Sequence, residues 1–386
     1  MKKRKICVVI NNRANYARIK SALVAIKKNK RLELQIVLGS SAILNRYGEV
    51  SEIIKKDGFK INRVVYTLLE GENLLTMSKS TGISITEFSS VFSDLKPDIV
   101  VVIADRYETL AAAIAASYMN ILLVHTQGGE ITGSIDESVR HATTKLAHVH
   151  FPASVISKKN VIQMGEDPKK VFLVGCPSLD IINKNKLKID KKFKQKYSNY
   201  GVGELKIDFE KPYIVVLQHP VTTEYRLMNK NINETIKAIM MLKHQVIWLW
   251  PNVDAGSDIL SKKIRILREK KKPKHIRFQK NYTPEDYVKL IYNSLCLVGN
   301  SSSAIREGAY LGIPAVNIGN RQNKREHGKN VINVKYNSTK IYKSILKQAK
   351  VRKYPKNKIF GDGKAGKRIS KILSKINLNI NKNLNY

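Results

Sequence analysis

Apolar residues fall in short continuous runs along this chain, separated by segments whose apolar positions recur every three or four residues. In the first half the runs are 6–10 (ICVVI), 32–38 (LELQIVL), 61–66 (INRVVY), 99–103 (IVVVI), 121–124 (ILLV) and 171–174 (VFLV). Helical spacing covers 15–28, 78–95, 107–118 and 136–147. Strands that are apolar throughout are buried on both faces. Their separation by helices predicts a parallel sheet covered on both sides.

Residues 183–211 break the pattern, being rich in Lys and Asn and ending in GVGE, and read as a connector. The alternation then resumes. Strands are predicted at 213–217, 246–250, 276–278, 295–298 and 314–318, with helices at 229–243, 258–271, 284–293 and 303–311. The halves share one grammar. The expected fold is therefore α/β, two Rossmann-like domains facing across a cleft, with boundaries 1–180, connector 181–211 and 212–363. Apolar positions 369, 372, 373 and 376 mark one helix face. A C-terminal helix within 364–386 is expected to pack back on the first domain.

Composition narrows the classes. At 386 residues, two cores are the natural expectation, and 43% hydrophobic residues is ordinary for a globular chain. No run of about 18 apolar residues occurs, so no membrane partner is expected. The apolar run after the basic start MKKRK is only ICVVI, too short for a signal sequence, and reads as the first strand of a cytoplasmic protein. Cys7, Cys176 and Cys296 are far apart, which argues against a disulfide framework or a metal site. No cofactor is expected. The net charge of +38 permits a polyanion partner. The lysines are spread, however, and the dense runs 182–197 and 268–275 lack the interleaved aromatics of a single-strand binder. Nucleic-acid binding stands as a competing function, with no specific nucleic acid expected.

Ligands of open α/β sheets bind beyond the carboxyl ends of the strands. Those ends carry Arg13; Asp105, Arg106 and Glu108; His125, Gln127 and Glu130; His219; Asn252 and Asp254; Asn300 and Ser301–Ser303; and Arg321. Clusters of this kind on two facing domains predict a site between them. In GNSSSAIREGAYLG (299–312), serine hydroxyls and free N–H groups opening a helix suit phosphate oxygens, and ordinary N-capping is the alternative. Glu307, one turn on, suits ribose hydroxyls. His219, Arg13 and Arg321 add phosphate contacts. Asp105, Glu130, Asp136 and Glu137 are candidate acids and bases. SIDE (134–137) also matches a capping box that would use Glu137 structurally. Asp136 and Arg140 lie four apart on one helix face, where a partly neutralised carboxylate is a usable base. His141 and His148 lack metal-ligand spacing, and no metal is expected.

The motifs resemble, over nearly the whole chain, the hydrolysing UDP-N-acetylglucosamine 2-epimerase family, which includes bacterial sialic- and legionaminic-acid-pathway enzymes and the epimerase domain of an animal bifunctional epimerase/kinase. The resemblance rests on NRANYARIK (12–20), ADRYETLAAAIAA (104–116), GGEITGSIDESVRHATTKLAH (128–148), VGCPSLD (174–180), LQHPVTTE (217–224), PNVDAGS (251–257), residues 299–331 and KIFGDGKAGKRI (358–369). It implies the GT-B-type architecture and a UDP-2-acetamido sugar as substrate. UDP would be eliminated to a 2-acetamidoglucal, and water addition would give N-acetylmannosamine or a 2,4-diacetamido-6-deoxy analogue for nonulosonic acid synthesis. By position, Arg13, Arg106, His219, Asn252, Ser301, Ser302, Glu307 and Arg321 match nucleotide- or phosphate-binding residues. Asp105 and Asp136 match acid/base residues, in a catalytic group that also holds Gln127, Glu130 and Arg140. The chain departs from the family at Ala104 for Gly, Asn15 for Asp and Gln127 for Glu. A carboxamide cannot take a proton as a carboxylate does, which leaves three outcomes: Glu130 or Asp136 does that work, the substrate differs, or the step is slow. A GT-B glycosyltransferase using a UDP-sugar is the other enzymatic reading. A homodimer or homotetramer is the expected assembly.

Overall fold

Each apolar run becomes a strand whose successive residues serve opposite faces of a sheet. In β1 (Arg4–Ile10), Ile6, Val8 and Ile10 pack with Ile19, Leu23 and Ile26 of α1 (Arg13–Lys28), while Cys7 and Val9 pack with Phe88 and Phe92 of α3 (Leu74–Leu95). Full burial of each such aliphatic side chain contributes about 1.5–3 kcal/mol. This two-sided burial is why the runs carry no polar alternation. The computed structural model describes residues 2–44, 50–71, 73–182, 187–252 and 254–385.

The first sheet also contains β2 (Leu32–Leu38), β3 (Arg63–Val64), β4 (Ile99–Ile103), β5 (Leu122–Thr126) and β6 (Val149–Phe151). Its order is β3-β2-β1-β4-β5-β6, all parallel, with Arg4 opposite Leu32 and Ile10 opposite Leu38. Its other helices are α2 (Val50–Lys56), α4 (Tyr107–Tyr118), α5 (Asp136–Leu146), α6 (Val155–Gln163) and α7 (Ser178–Ile182). After α8 (Lys191–Tyr197) come β7 (Tyr213–Leu217), α9 (Met228–Met240), β8 (Gln245–Leu249), α10 (Ser257–Ile266), β9 (Ile276–Gln279), α11 (Pro284–Tyr292), β10 (Cys296–Gly299), α12 (Arg306–Leu311), β11 (Ala315–Ile318), β12 (Val331–Val334), α13 (Ser338–Ala349) and α14 (Ala365–Leu373). The second sheet runs β12-β11-β10-β7-β8-β9 and is also parallel. Both sheets wind outward from their first strand in two directions, which opens a crevice where the direction reverses. The architecture is the expected one: two Rossmann-like domains of the GT-B type.

Some elements differ from their sequence signals. Run 171–174 forms no strand; Val171 makes a single bridge to His150. The sixth strand is β6, whose central histidine hides it from a search for apolar runs. Run 61–66 shrinks to β3 at the sheet edge. Helix 303–311 starts only at Arg306. Part of the connector 181–211, residues 183–186, lies outside the described residues.

The C-terminal segment lies on the first domain. Ile369 and Leu373 of α14 join the core under α1, and Gly366 sits where a Cβ would meet the Ser21 carbonyl carbon at 2.5 Å. The Asp180 carboxylate accepts the N–H groups of Ala365 (3.0 Å) and Gly366 (2.7 Å) and the Ser21 hydroxyl (2.8 Å). The chain passes between domains beside itself. Gly175 (φ +88°) lies against Gly361 (φ +120°), and the Cys176 N–H donates to the Phe360 carbonyl at 2.7 Å.

Candidate active site

Two strand ends of the first domain adopt the left-handed region at non-glycine residues, Ala104 (φ +61°) after β4 and Gln127 (φ +63°) after β5. Such a conformation costs about 1–2 kcal/mol per L-residue and is kept where surroundings enforce it. The Ala104 N–H donates to Thr126 (3.0 Å), and the Gln127 N–H to Phe151 (2.9 Å). Buried His125 fixes the same corner, with Nε2 2.7 Å from the Ala104 carbonyl and Nδ1 3.1 Å from the Thr144 hydroxyl. Burial pushes its pKa down to about 3, so the ring is neutral. Only a donor can face a carbonyl, so the proton sits on Nε2 and Nδ1 accepts from Thr144. This clamp sets the backbone from which Asp105 projects.

Asp105 pairs with Arg140, whose side chain has no exposure. Burial raises the Asp105 pKa, but Arg140, Arg18 and Arg325 outweigh it and hold the carboxylate well below the usual range. Arg140 also donates to the Glu130 carbonyl at 2.6 Å. Its partner is therefore Asp105 and not Asp136, despite the helical spacing. Asp136 instead meets Arg321 of the second domain at 3.5 Å. Burial, together with Asp105 and Asp254, pushes its pKa up to about 6 against the pull of Arg321 and Arg140. Two neighbouring carboxylates are thus driven apart, one firmly ionised and one titrating close to neutrality.

Glu130 is fully engaged. Both its oxygens accept from Arg306 (2.7 and 2.6 Å), and one also accepts from Arg325. All three residues are buried, and the arginines come from the second domain. Arg106 makes a second bridge, to Glu108 at 3.1 Å in its own domain and to Asp254 across the cleft. Asn252 donates to Asp254 at 2.5 Å. Glu137 forms no capping box with Ser134. Its carboxylate accepts the Thr132 N–H and contacts His141 at 2.9 Å. His148 accepts the Leu123 N–H at 3.0 Å, a structural use. No group of three metal-ligating side chains occurs among the described residues.

The cleft is also cationic and hydroxylated, with α1 of the first domain meeting the second. Arg13 reaches from α1 to the Asn281 side chain (2.6 Å) and the Lys280 carbonyl (3.1 Å). Arg18 donates to the Ser302 hydroxyl at 2.6 Å. Neither guanidinium meets a carboxylate among the described residues, and burial with Arg306 nearby lowers the Arg18 pKa to about 10. His219 is held from both sides, since Asn300 accepts its N–H (2.7 Å) and its Nδ1 accepts the Asn252 N–H (3.1 Å). Burial and the surrounding arginines 321, 13, 106 and 18 keep it neutral. Ser301 and Ser303 hydroxyls lie 3.0 Å apart, and Tyr287 meets Ser303 at 2.6 Å. The N–H groups of Ala304, Ile305 and Arg306 are already bonded to the carbonyls of Ser301 and Ser302. Those helix amides are therefore committed within the turn, and the groups left to meet a ligand there are hydroxyls and arginines. Glu307 is partly buried on α12, one residue beyond the Arg306 that pairs with Glu130. Gly128 and Gly129 are demanded by the protein itself: a Cβ would meet His125 Nδ1 at 2.9 Å and the Ser157 carbonyl at 2.2 Å respectively.

Residues 24–374 match the family model described as UDP-N-acetylglucosamine 2-epimerase. This chain belongs to that family. Similar relatives include a Legionella pneumophila protein named UDP-N,N'-diacetylbacillosamine 2-epimerase (hydrolyzing), 33% identical over 375 residues and 97% of each chain. A Campylobacter jejuni protein named GDP/UDP-N,N'-diacetylbacillosamine 2-epimerase (hydrolyzing) is 34% identical, covering 87% of this chain and 86% of that one. The solved UDP-GlcNAc 2-epimerase of Neisseria meningitidis, bound to UDP-GlcNAc, shares the fold with a TM-score of 0.78 at 18% identity, over 96% of this chain and 99% of that one. The Methanocaldococcus jannaschii enzyme in complex with UDP-GlcNAc and UDP gives 0.79 at 19%, with the same coverage. The family is one of enzymes.

For this member of the epimerase family, sequence reasoning missed Arg18, Arg306 and Arg325 as site residues. Arg18 was visible as the second arginine of RANYAR, and the other two stood beside Glu307 and Arg321 in recognised motifs. Nothing in a one-dimensional reading showed that they converge on Ser302 and Glu130 from the other domain.

Proposed function

We propose that this chain is a hydrolysing 2-epimerase of a UDP-2-acetamido sugar. The observation that carries the reading is a cleft in which Arg13 and Arg18 make no ion pair with a carboxylate among the described residues, while Asp105 is held ionised and Asp136 titrates near 6. The two arginines suit a diphosphate and the charge that builds on departing UDP. The two carboxylates suit proton transfer near neutral pH.

Asp136 takes the proton from C2 while the C1–O bond breaks and its electron pair leaves with UDP, giving a 2-acetamidoglucal. Water then adds across the double bond, its hydroxyl to C1 and a proton to the opposite face of C2. The product is N-acetylmannosamine or its 2,4-diacetamido-6-deoxy analogue. The names of the Legionella and Campylobacter relatives support the second sugar. Asp105, oriented by Arg140, serves the water-addition half. Arg106, Asn252, Ser301, Glu307 and Arg321 bind the nucleotide. Glu130 is spent on two arginines, so its role is to join the domains. We place the reaction in a reducing compartment, the cytoplasm, as three buried free thiols suggest, and expect a homodimer or homotetramer.

The test is incubation with UDP-N-acetylglucosamine or UDP-N,N'-diacetylbacillosamine in heavy water, without acceptor, followed by NMR. Release of UDP with a C2-epimeric, C2-deuterated free sugar is expected. Both substrates remaining intact, or sugar transfer only when an acceptor is supplied, would overturn the reading.

A further inference from the structure

Lys382 lies on the segment that follows α14, which packs Ile376 and Ile380 against the core of the first domain. Its ammonium reaches to the last turn of α5 and donates to the carbonyls of Thr144 (3.2 Å) and Ala147. The last carbonyls of a helix have no partner within it, and a lysine side chain is one way of meeting them. Glu166 fixes the ammonium in place. This carboxylate is 3% exposed and also meets Lys145 at 2.7 Å and His150 at 2.9 Å. The helix so capped is the one that opens on Asp136 and carries Arg140.

Thr144 is the junction between this cap and the site. Its carbonyl accepts from Lys382, while its hydroxyl donates to Nδ1 of His125 at 3.1 Å. Nε2 of the same ring donates to the Ala104 carbonyl at 2.7 Å, at the left-handed corner that aims Asp105. Thr144, His125 and Ala104 are all buried, so water cannot replace a lost link. A last helical turn whose carbonyls lose their partner frays, and the carbonyl and hydroxyl of one residue move together. Loosening there frees Nδ1 of His125, and the ring proton is then no longer confined to Nε2. We infer that Lys382 is a positioning residue for the reaction, holding Asp105 in place through Thr144 and His125. Lys382 itself touches no reacting group. Arg13, Arg18, His219 and Ser302 stand on other elements, so binding of UDP does not depend on this path. The inference rests on the role given to Asp105 above and deepens it.

The test measures steady-state turnover and calorimetric UDP affinity of the full chain as Lys382→Met, Thr144→Val, the double variant, Lys382→Arg and Lys170→Met. Lys170 is the control, because its ammonium also holds this segment, at the Asn381 carbonyl (3.0 Å), through a bond that involves no part of α5. Glu166 keeps Lys145 and His150 when Lys382 is replaced, so no buried charge is stranded. Lys382→Met is expected to lower kcat by roughly ten- to hundred-fold, the order of loss from a misplacement of about 1 Å, with KM and UDP affinity unchanged. Thr144→Val should do the same. The double variant should lose no more than the larger single loss, because both residues act on one path. Lys382→Arg keeps a cationic donor and should recover most of the rate, and Lys170→Met should match the parent. Should Lys382→Met fail to fold, Lys382→Gln takes its place in the cycle with the same expectations. Unchanged kcat in the Lys382 variant, losses that multiply in the double variant, or an equal loss in Lys170→Met overturns the inference. A parent that releases no UDP from either sugar nucleotide is a different result and removes the epimerase reading, and this inference with it.

Discussion

Arg140 gives its guanidinium to Asp105 and not to Asp136, the acid one turn earlier on its own helix. Helical spacing alone favours the other pairing. The sheet decides otherwise, because the left-handed corner at Ala104 aims Asp105 beneath α5. Removing one partner of a buried pair strands the other, a loss of about 3–5 kcal/mol. Arg140→Met is therefore expected to lower the urea midpoint strongly and abolish turnover. Asp105→Asn, which retains a hydrogen-bonding partner, should lose roughly 10²–10⁴-fold in rate with a smaller change in midpoint. Equal midpoints for the two variants would contradict this ordering.

Asp136 controls the pH dependence. Its pKa is raised to about 6, so the base form is depleted below that pH. C2 proton exchange is expected to rise with pH through about 6 and then level off. Asp136→Asn should remove this limb and cost roughly 10²–10⁴-fold in rate. Stability moves the other way. A carboxyl with a raised folded-state pKa contributes most below its unfolded value of about 4, and that contribution is lost as pH rises through about 6. A variant that keeps the same pH–rate limb would refute the assignment.

Among the described residues, Arg18 and Arg13 hydrogen-bond to neutral partners, Ser302 for one and Asn281 with the Lys280 carbonyl for the other. Arg18→Ala is expected to weaken UDP binding by roughly ten- to hundred-fold, the worth of a hydrogen bond to a charged group. Arg13→Ala should act similarly, and both should reduce the salt dependence of binding. Calorimetry with UDP across a salt series is the measurement. An unchanged affinity in both variants would move the diphosphate elsewhere.

Glu130 sits between Arg306 and Arg325, both contributed by the second domain. Glu130→Gln leaves two buried guanidinium groups undercompensated and should cost about 3–5 kcal/mol. Adding Arg325→Met should restore part of that loss, because one stranded charge is then gone. A double-mutant cycle on the denaturant midpoint reads the coupling. Additive effects would mean that the pair is incidental.

The fold was largely legible because both sheets are buried on both faces, so β1, β4, β7 and β8 appear as unbroken apolar runs. β6 and β12 escaped notice because His150 and Asn333 interrupt them. In the site, the residue types were legible and the partners were not. Asp105, Asp136, His219 and Arg321 stand at strand ends, where position alone marks them. That Glu130 belongs to Arg306 and Arg325, residues more than 170 positions away, is a property of how two domains meet. The Asp136–Arg140 spacing leaves Arg140 pulling on Asp136 through space, but the direct ion pairs of both residues go to other elements, Asp105 and Arg321.

Gly175 and Gly361 touch where the chain leaves the first domain and where it returns. Two widely separated connections would leave each passage free of the other; here the two passages share one spot. Both passages use glycine in backbone conformations that other residues rarely adopt. A Cβ at either position would press on the other passage, at 3.2 Å for Gly175 and 3.0 Å for Gly361. The closeness of the two passages thus rests partly on a pair of residues that carry no side chain at all.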